Sequence, residues 1–326
     1  METETQQPIK EHQSNFKLVM MGLIYFIFNC GIFTALFAPV PLIVAALSFG
    51  RSKAYGVGAL CLGCLFLASM MIFQSYQVFS LGIFSYFVAI GISEMIIRGF
   101  HPMKSILILG SSMCALFAIT MTLSVKQGFS PSSYIESSLS ETKKIILENK
   151  EYQKNKENLK PLIAFLDAPK ESASIVLKTI PLYAYAGIFL SIWGIFYFIL
   201  KSYHYYSQPK YLKYSEDALK NFRMSDYFIF PVAIFLALYV FANDLGGHWG
   251  YIGQIGLFAF GVFYFMQGFG VLMSYLDNFK VFGFFRTFIV VTIFVLAPFF
   301  LCSLGLFDTW FDFRKKTKNK LSNKKL

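Results

Sequence analysis

The chain has 326 residues, 56% of them hydrophobic and only 14% charged, with a formal net charge of +11. Soluble chains carry about 25% charged residues, so the composition excludes an ordinary soluble domain and points to helices that face lipid. The basic excess does not indicate nucleic-acid binding, because Lys and Arg lie in connections and at the C-terminal end, where membrane topology and anionic lipid account for them.

In chain order, residues 1–17 are polar, and the apolar run that follows is too long for the core of a cleavable signal, so it is expected to remain as an anchor. That run, 18–37, ends before Pro39 and Pro41. Residues 40–50 are apolar but short for a crossing, and are expected to form a tilted short span or a re-entrant piece. Further runs cover 54–73, 78–97, 105–124, 179–200, 227–242, 251–276 and 287–304. A run of about 20 apolar residues wound as a helix matches a hydrocarbon core of roughly 30 Å and satisfies its own backbone hydrogen bonds. The 39 Phe and 19 Tyr suit helices that meet lipid in the middle and headgroups at their ends. The expected fold class is all-α: a polytopic transmembrane helix bundle of about eight or nine spans with one helical polar insertion. The expected parts are a polar tail (1–17), N-terminal membrane helices (18–124), the polar insertion (125–178), C-terminal membrane helices (179–313) and a basic disordered tail (314–326).

Lys and Arg collect on one side of these spans: Arg51, Lys53, Arg98, Lys104, Lys201, Lys210, Lys213, Lys220, Arg223, Lys280 and Arg286. The opposite short loops, 74–77 and 243–250, contain none. By the positive-inside tendency the basic loops are cytoplasmic and the insertion lies outside a bacterial inner membrane. The same count places the basic tail (Arg314, Lys315, Lys316, Lys318, Lys320, Lys324, Lys325) outside, against that tendency.

Residues 126–171 hold eight Lys and seven acidic residues. Ser140 is placed to cap a helix whose first turn carries Glu141, and Pro161 to break the pattern before the apolar piece 162–166. One or two surface helices over the membrane domain are expected, because the apolar content is too small for an independent core.

The five cysteines lie inside apolar runs. Cys61 and Cys64 form a C-x-x-C, but no second pair or His accompanies them, and packing in a helix is the simpler reading. His12, His101, His204 and His248 are scattered, without H-E-x-x-H spacing. No metal, cofactor or catalytic set is expected, and the chain reads as a non-enzyme.

Polar groups within apolar runs are the candidate functional residues. Glu94 and Arg98 are four apart with the acid first, which suits an interfacial ion pair, with a transport or proton site as the alternative. Gln267, Gly270, Ser274 and Asp277 draw a polar stripe down one helix, either lining a substrate cavity or bonding to a neighbouring helix. Ala184, Gly187, Ser191 and Gly194 suggest a close-packing face against a helix bearing Gly256, Gly261 and Gly268. The loop from Asn243 through Asp244, Gly246, Gly247 and His248 to Trp249 suits either a lid or a tight turn with an interfacial Trp.

At the C-terminal end, Gly305, Leu306, Phe307, Asp308, Thr309, Trp310, Phe311, Asp312, Phe313 and Arg314 resemble the terminal G-L-x-D-x-x-F-D-F-R signature of the YybS-like family of uncharacterised bacterial multi-pass membrane proteins. Phe222, Arg223, Pro231 and the pair Gln267–Gly268 follow the same family order upstream. The family is thought similar in fold to the substrate-binding S-components of energy-coupling-factor transporters, which implies small-molecule binding in the helix bundle and an ATPase module as partner. The alternative is a membrane scaffold that contacts other envelope proteins through the insertion and basic tail. Read without the family, Asp308 and Asp312 share one helix face beside an aromatic belt that anchors the last helix in the bilayer.

Overall fold

The computed structural model describes residues 8–31, 34–72, 77–148, 156–202, 213–245 and 247–315. Every regular element among them is helical, with no strand. The helices are α1 (Pro8–Cys30), α2 (Pro39–Phe49), α3 (Arg51–Met71), α4 (Gln77–Ile97), α5 (Pro102–Lys126), α6 (Pro131–Glu148), α7 (Lys156–Asp167) and α8 (Pro169–Lys201). They continue as α9 (Asp217–Lys220), α10 (Ile229–Val240), α11 (Ala242–Leu245), α12 (Gly247–Asn278), α13 (Gly283–Leu296) and α14 (Pro298–Phe311). Five of them, α3, α4, α5, α8 and α12, are long and apolar enough to cross a membrane. The pair α13–α14 passes the same test jointly but is bent by 98°, and three shorter apolar helices cover Asn15–Cys30, Thr34–Phe49 and Asp226–Val240. The nine apolar runs of the sequence therefore all become helix, but not nine straight spans.

Two runs change form. The first ends at Cys30 rather than residue 37, and a 3-10 turn (Thr34–Phe37) leads into α2. Pro39 and Pro41 sit in the first turn of α2, where proline costs no hydrogen bond. With 11 residues α2 spans about 16 Å, half a hydrocarbon core. In the last run, Pro298 lacks an N–H and disfavours helical geometry at Ala297, which takes φ −135° and ψ 51° and makes the corner between α13 and α14.

The chain divides into two compact units. The first comprises residues 1–110, 189–233 and 260–326. Within it α2 is the centre of an N-terminal group, in contact with α1, α3 and α4, and Leu42, Ile43, Ala45, Ala46 and Leu47 are buried. A buried polar knot ties this group together. The Tyr25 hydroxyl donates to the Gly82 carbonyl at 2.9 Å, and the Ser85 hydroxyl reaches Asn29 Oδ1 at 2.9 Å. No charge or motif in the sequence signalled this knot. In the same unit Trp193 and Phe269 meet edge to face at 4.7 Å, and Tyr197 stacks beside Trp193.

The second unit comprises residues 111–188 and 234–259. Here α6 packs on α7, and Lys143 pairs with Asp167 at 2.8 Å. Ser140 is no cap: the helix begins nine residues earlier at Pro131, with the Ser130 hydroxyl accepting from Ser133 N–H, and the Ser140 hydroxyl bonds back to Glu136 O at 2.8 Å. Pro161 lies inside α7 and does not end it. The Ser140 expectation failed because Pro131, at the first position of the helix, starts it nine residues earlier. In this unit α12 packs on α10 through Gly256, where an added Cβ would overlap the Phe235 ring.

The close-packing face expected on α8 is not one. A Cβ built on Gly187 or Gly194 meets no described heavy atom within 4 Å, nor does one on Gly261. The basic tail beyond Lys315, residues 74–76 of the loop 74–77, and His204 and Lys210 lie outside the described residues.

Candidate functional site

In the first unit α12 and α14 cross in backbone contact. A Cβ on Gly268 would overlap the Leu301 carbonyl, and one on Gly305 would overlap the Tyr264 carbonyl, so only glycine fits on either side. The approach fixes the next polar residue on each helix: Gln267 adjoins Gly268, and Asp308 lies about one turn beyond Gly305. Gln267 is 0% exposed and Asp308 1% exposed. The Gln267 amide Nε2 donates to Asp308 Oδ2 at 3.3 Å, and its Oε1 accepts from Met224 N–H at 2.9 Å.

Arg314 completes the set. Its Nε and Nη2 donate to Asp308 Oδ2 at 3.1 and 2.5 Å, and its Nη1 donates to the carbonyls of Lys220 and Phe222 at 2.9 and 3.0 Å. Phe313 N–H donates to Asp308 Oδ1 at 3.0 Å. The loop that supplies the two carbonyls lies against α12 because Gly270 has no side chain: a Cβ there would overlap the Lys220 carbonyl. Both oxygens of the Asp308 carboxylate are thus occupied by protein donors, and the guanidinium spends its three nitrogens on protein acceptors.

A second, more open layer reinforces the same join. Arg223 donates from Nη2 to the Thr309 carbonyl at 2.8 Å and pairs with Asp312 and Asp226, each at 3.4 Å. Asp312 ends α14 in a left-handed conformation, φ 45°, and also pairs with Lys315 at 2.9 Å. The hydrogen bond from Lys315, assisted by the charges of Lys315 and Arg223, holds the Asp312 carboxyl below the usual range. A depressed carboxyl contributes stability above its unfolded value, near pH 4, and loses it as the pH falls through the lower folded value. Asp312→Asn is therefore expected to lower the melting temperature near pH 7 and to converge with the wild type as the pH falls below about 4, which flattens the acid limb of the profile. An unaltered acid limb would refute this contribution.

These contacts bear on the charge count at the start of the tail. Residues 312–315 are bonded to the basic loop 217–226, so the end of α14 and that loop lie together, whereas the count had placed the tail opposite. The count treated residues 287–304 as one straight crossing, and the corner at Ala297 removes that premise.

The remaining candidates do not join the set. The Ser274 hydroxyl bonds to Gly270 O on its own helix at 3.0 Å, and Asp277 pairs with Arg286 at 2.6 Å. The polar stripe of α12 is thus divided among three separate contacts. Glu94 does pair with Arg98, at 3.3 Å, but also with Arg51 at 3.1 Å and with the Tyr55 hydroxyl at 3.2 Å. The Phe311 ring stacks on Phe313 at 5.6 Å. Cys61 bonds through Sγ to Gly22 O at 3.3 Å, Cys64 is exposed, and neither is in a disulfide.

The glycine crossing, Gln267 and Asp308 all fall in a stretch whose family can be stated: the model of a family described as predicted membrane protein, DUF2232, matches residues 16–309. The chain belongs to the DUF2232 family. The match covers most of the chain and closes at Thr309, one residue beyond the buried carboxylate. No curated protein and no solved structure matches the chain. Together with its apolar helices, membership makes this DUF2232 protein a multi-pass membrane protein. Arg223 and Phe222 entered the sequence reading through the family resemblance, but without the contacts they make here. The signal present there was a polar residue beside or one turn from a glycine in two different apolar helices, Gln267–Gly268 and Gly305-x-x-Asp308.

Proposed function

We propose that this protein is a non-enzymatic scaffold of the bacterial cytoplasmic membrane, holding other envelope proteins through its polar insertion and its basic C-terminal segment. The observation that carries this reading is the saturation of Gln267, Asp308 and Arg314 by one another and by backbone groups. Ionic and amide groups buried among helices are expected to face a cavity in a small-molecule carrier. Here they bind the α9 loop, α12 and the end of α14 to each other, and Ser274 and Asp277 are engaged in local contacts. A second reading, small-molecule binding or transport with an ATPase module, rests on the resemblance to S-components.

Affinity purification of the full-length chain from membranes solubilised in mild detergent separates the two. Scaffolding predicts recovery of membrane or envelope proteins whose yield falls when insertion residues 131–148 are replaced by a neutral helix. A stoichiometric ATPase pair, with recovery insensitive to that replacement, would overturn it in favour of transport.

A further inference from the structure

The second unit contains an open cleft of about 460 Å³ lined by Ser132, Lys170, Ser174, Leu177, Lys178 and Tyr251. Its volume lies in the range of small-molecule sites. Lys170, Ser174 and Lys178 are spaced four apart on α8, so the two ammonium groups flank one hydroxyl along a single helix face. Ser132 stands across from them in the first turn of α6, the end of that helix that favours negative charge. Among the described residues no acid lines the cleft. Among the described residues neither lysine forms an ion pair, whereas Lys143 in the same insertion is committed to Asp167. Glu171, the nearest acid in sequence to Lys170, is exposed and outside the lining.

The cleft also sits at a defined level of the unit. Lys178 directly precedes the apolar run of α8, and Tyr251 lies in the first turns of α12, with its hydroxyl donating to the Lys178 carbonyl at 3.2 Å. Interfacial Lys and Tyr mark headgroup level at the start of two membrane helices. We propose that this cleft binds a phosphate ester at the membrane surface. Lys170 and Lys178 supply charge, Ser132 and Ser174 supply hydroxyl donors, and Leu177 with the Tyr251 ring forms the apolar wall against which the remainder of the ester rests. The site stands on residues of this unit alone and does not depend on the scaffold reading.

A lipid headgroup and a soluble phosphate ester share this chemistry, and two titrations of the purified full-length chain distinguish them. In one, phosphatidylglycerol is added to protein in phosphatidylcholine nanodiscs and retention is read by native mass spectrometry. In the other, sn-glycerol 3-phosphate is added and binding is read by calorimetry. Saturable binding is expected in at least one arm, and that arm names the source. Lys170→Gln with Lys178→Gln should weaken it ~10-fold or more and flatten its salt dependence, at an unchanged melting temperature because both side chains are exposed. Lys143→Gln should bind like the wild type. Absence of saturable binding in both arms, equal binding by the double variant, or an equal loss in Lys143→Gln would overturn the proposal.

Discussion

Asp308→Ala is expected to lower the stability of the detergent-solubilised protein by about 3–5 kcal/mol, the usual cost of leaving a buried charge without its partner. Arg314 is 9% exposed, and its Nε and Nη2 both terminate on Asp308 Oδ2, so the variant strands a guanidinium in the core and frees the Gln267 amide as well. Asp308→Asn retains shape and one acceptor but loses the charge, and should fall between the two. The diagnostic measurement is the double variant Asp308→Ala/Arg314→Met. If the pair acts as a unit, removing both should cost less than the sum of the single losses, by ~2 kcal/mol or more. The residual cost of the double variant then reports the Lys220 and Phe222 carbonyls, which keep no donor from Arg314. A melting temperature for Asp308→Ala within about 1 °C of wild type would show that the join is held by something other than this ion pair.

Gly268→Ala is the second large effect expected, although it adds a single methyl group. The added carbon would overlap a carbonyl on the neighbouring helix, and a carbonyl locked in a helix cannot turn away as a side chain can. The helices must separate, so the loss should reach or exceed the upper end of the ~1–3 kcal/mol range for overpacking, and the displaced α14 would carry Asp308 away from Gln267. Gly305→Ala should behave alike, because its Cβ meets the Tyr264 carbonyl from the other side. Gly261→Ala supplies the control on the same helix: no described atom lies within 4 Å of its Cβ, and helix propensity favours alanine. Thermal unfolding of the three variants decides the matter. Equal melting temperatures for Gly268→Ala and Gly261→Ala would remove the claim of backbone contact.

The contrast between these glycines shows what was legible in the sequence. Hydropathy is local, and each of the nine apolar runs contains a helix, with the boundaries of α4 within one residue. The pairing Glu94–Arg98 was also local and is present. What failed required knowing which faces meet. Four small residues on α8 marked a narrow face, but narrowness does not say that another backbone lies against it, and no described atom does at Gly187 or Gly194. Of the two roles open to the stripe Gln267–Ser274–Asp277, bonding to a neighbouring helix holds for Gln267, which reaches Asp308, whereas Ser274 bonds within its own helix and Asp277 to Arg286. Arg223 is a basic residue in a basic loop and carried no sign of its role. Its partners Thr309 and Asp312 are 86 and 89 positions away. The resemblance at the C-terminal end did mark residues of this join: of the signature positions, Gly305, Asp308 and Arg314 form the crossing and its ion pair, and Asp312 the outer layer.

The order of these residues along the chain has a consequence for biosynthesis. A ribosome delivers the 217–224 loop first, Gln267 next, Asp308 later and Arg314 last. The loop carbonyls bonded by Arg314 lie 92 and 94 positions before it, so until the end of α14 has emerged they lack that donor and Asp308 lacks its counter-charge. Closure of so long a loop is entropically slow and confers no stability until it is complete. A chain that stops short of Arg314 would therefore lack both the counter-charge of Asp308 and the donor that ties the 217–224 loop to the end of α14.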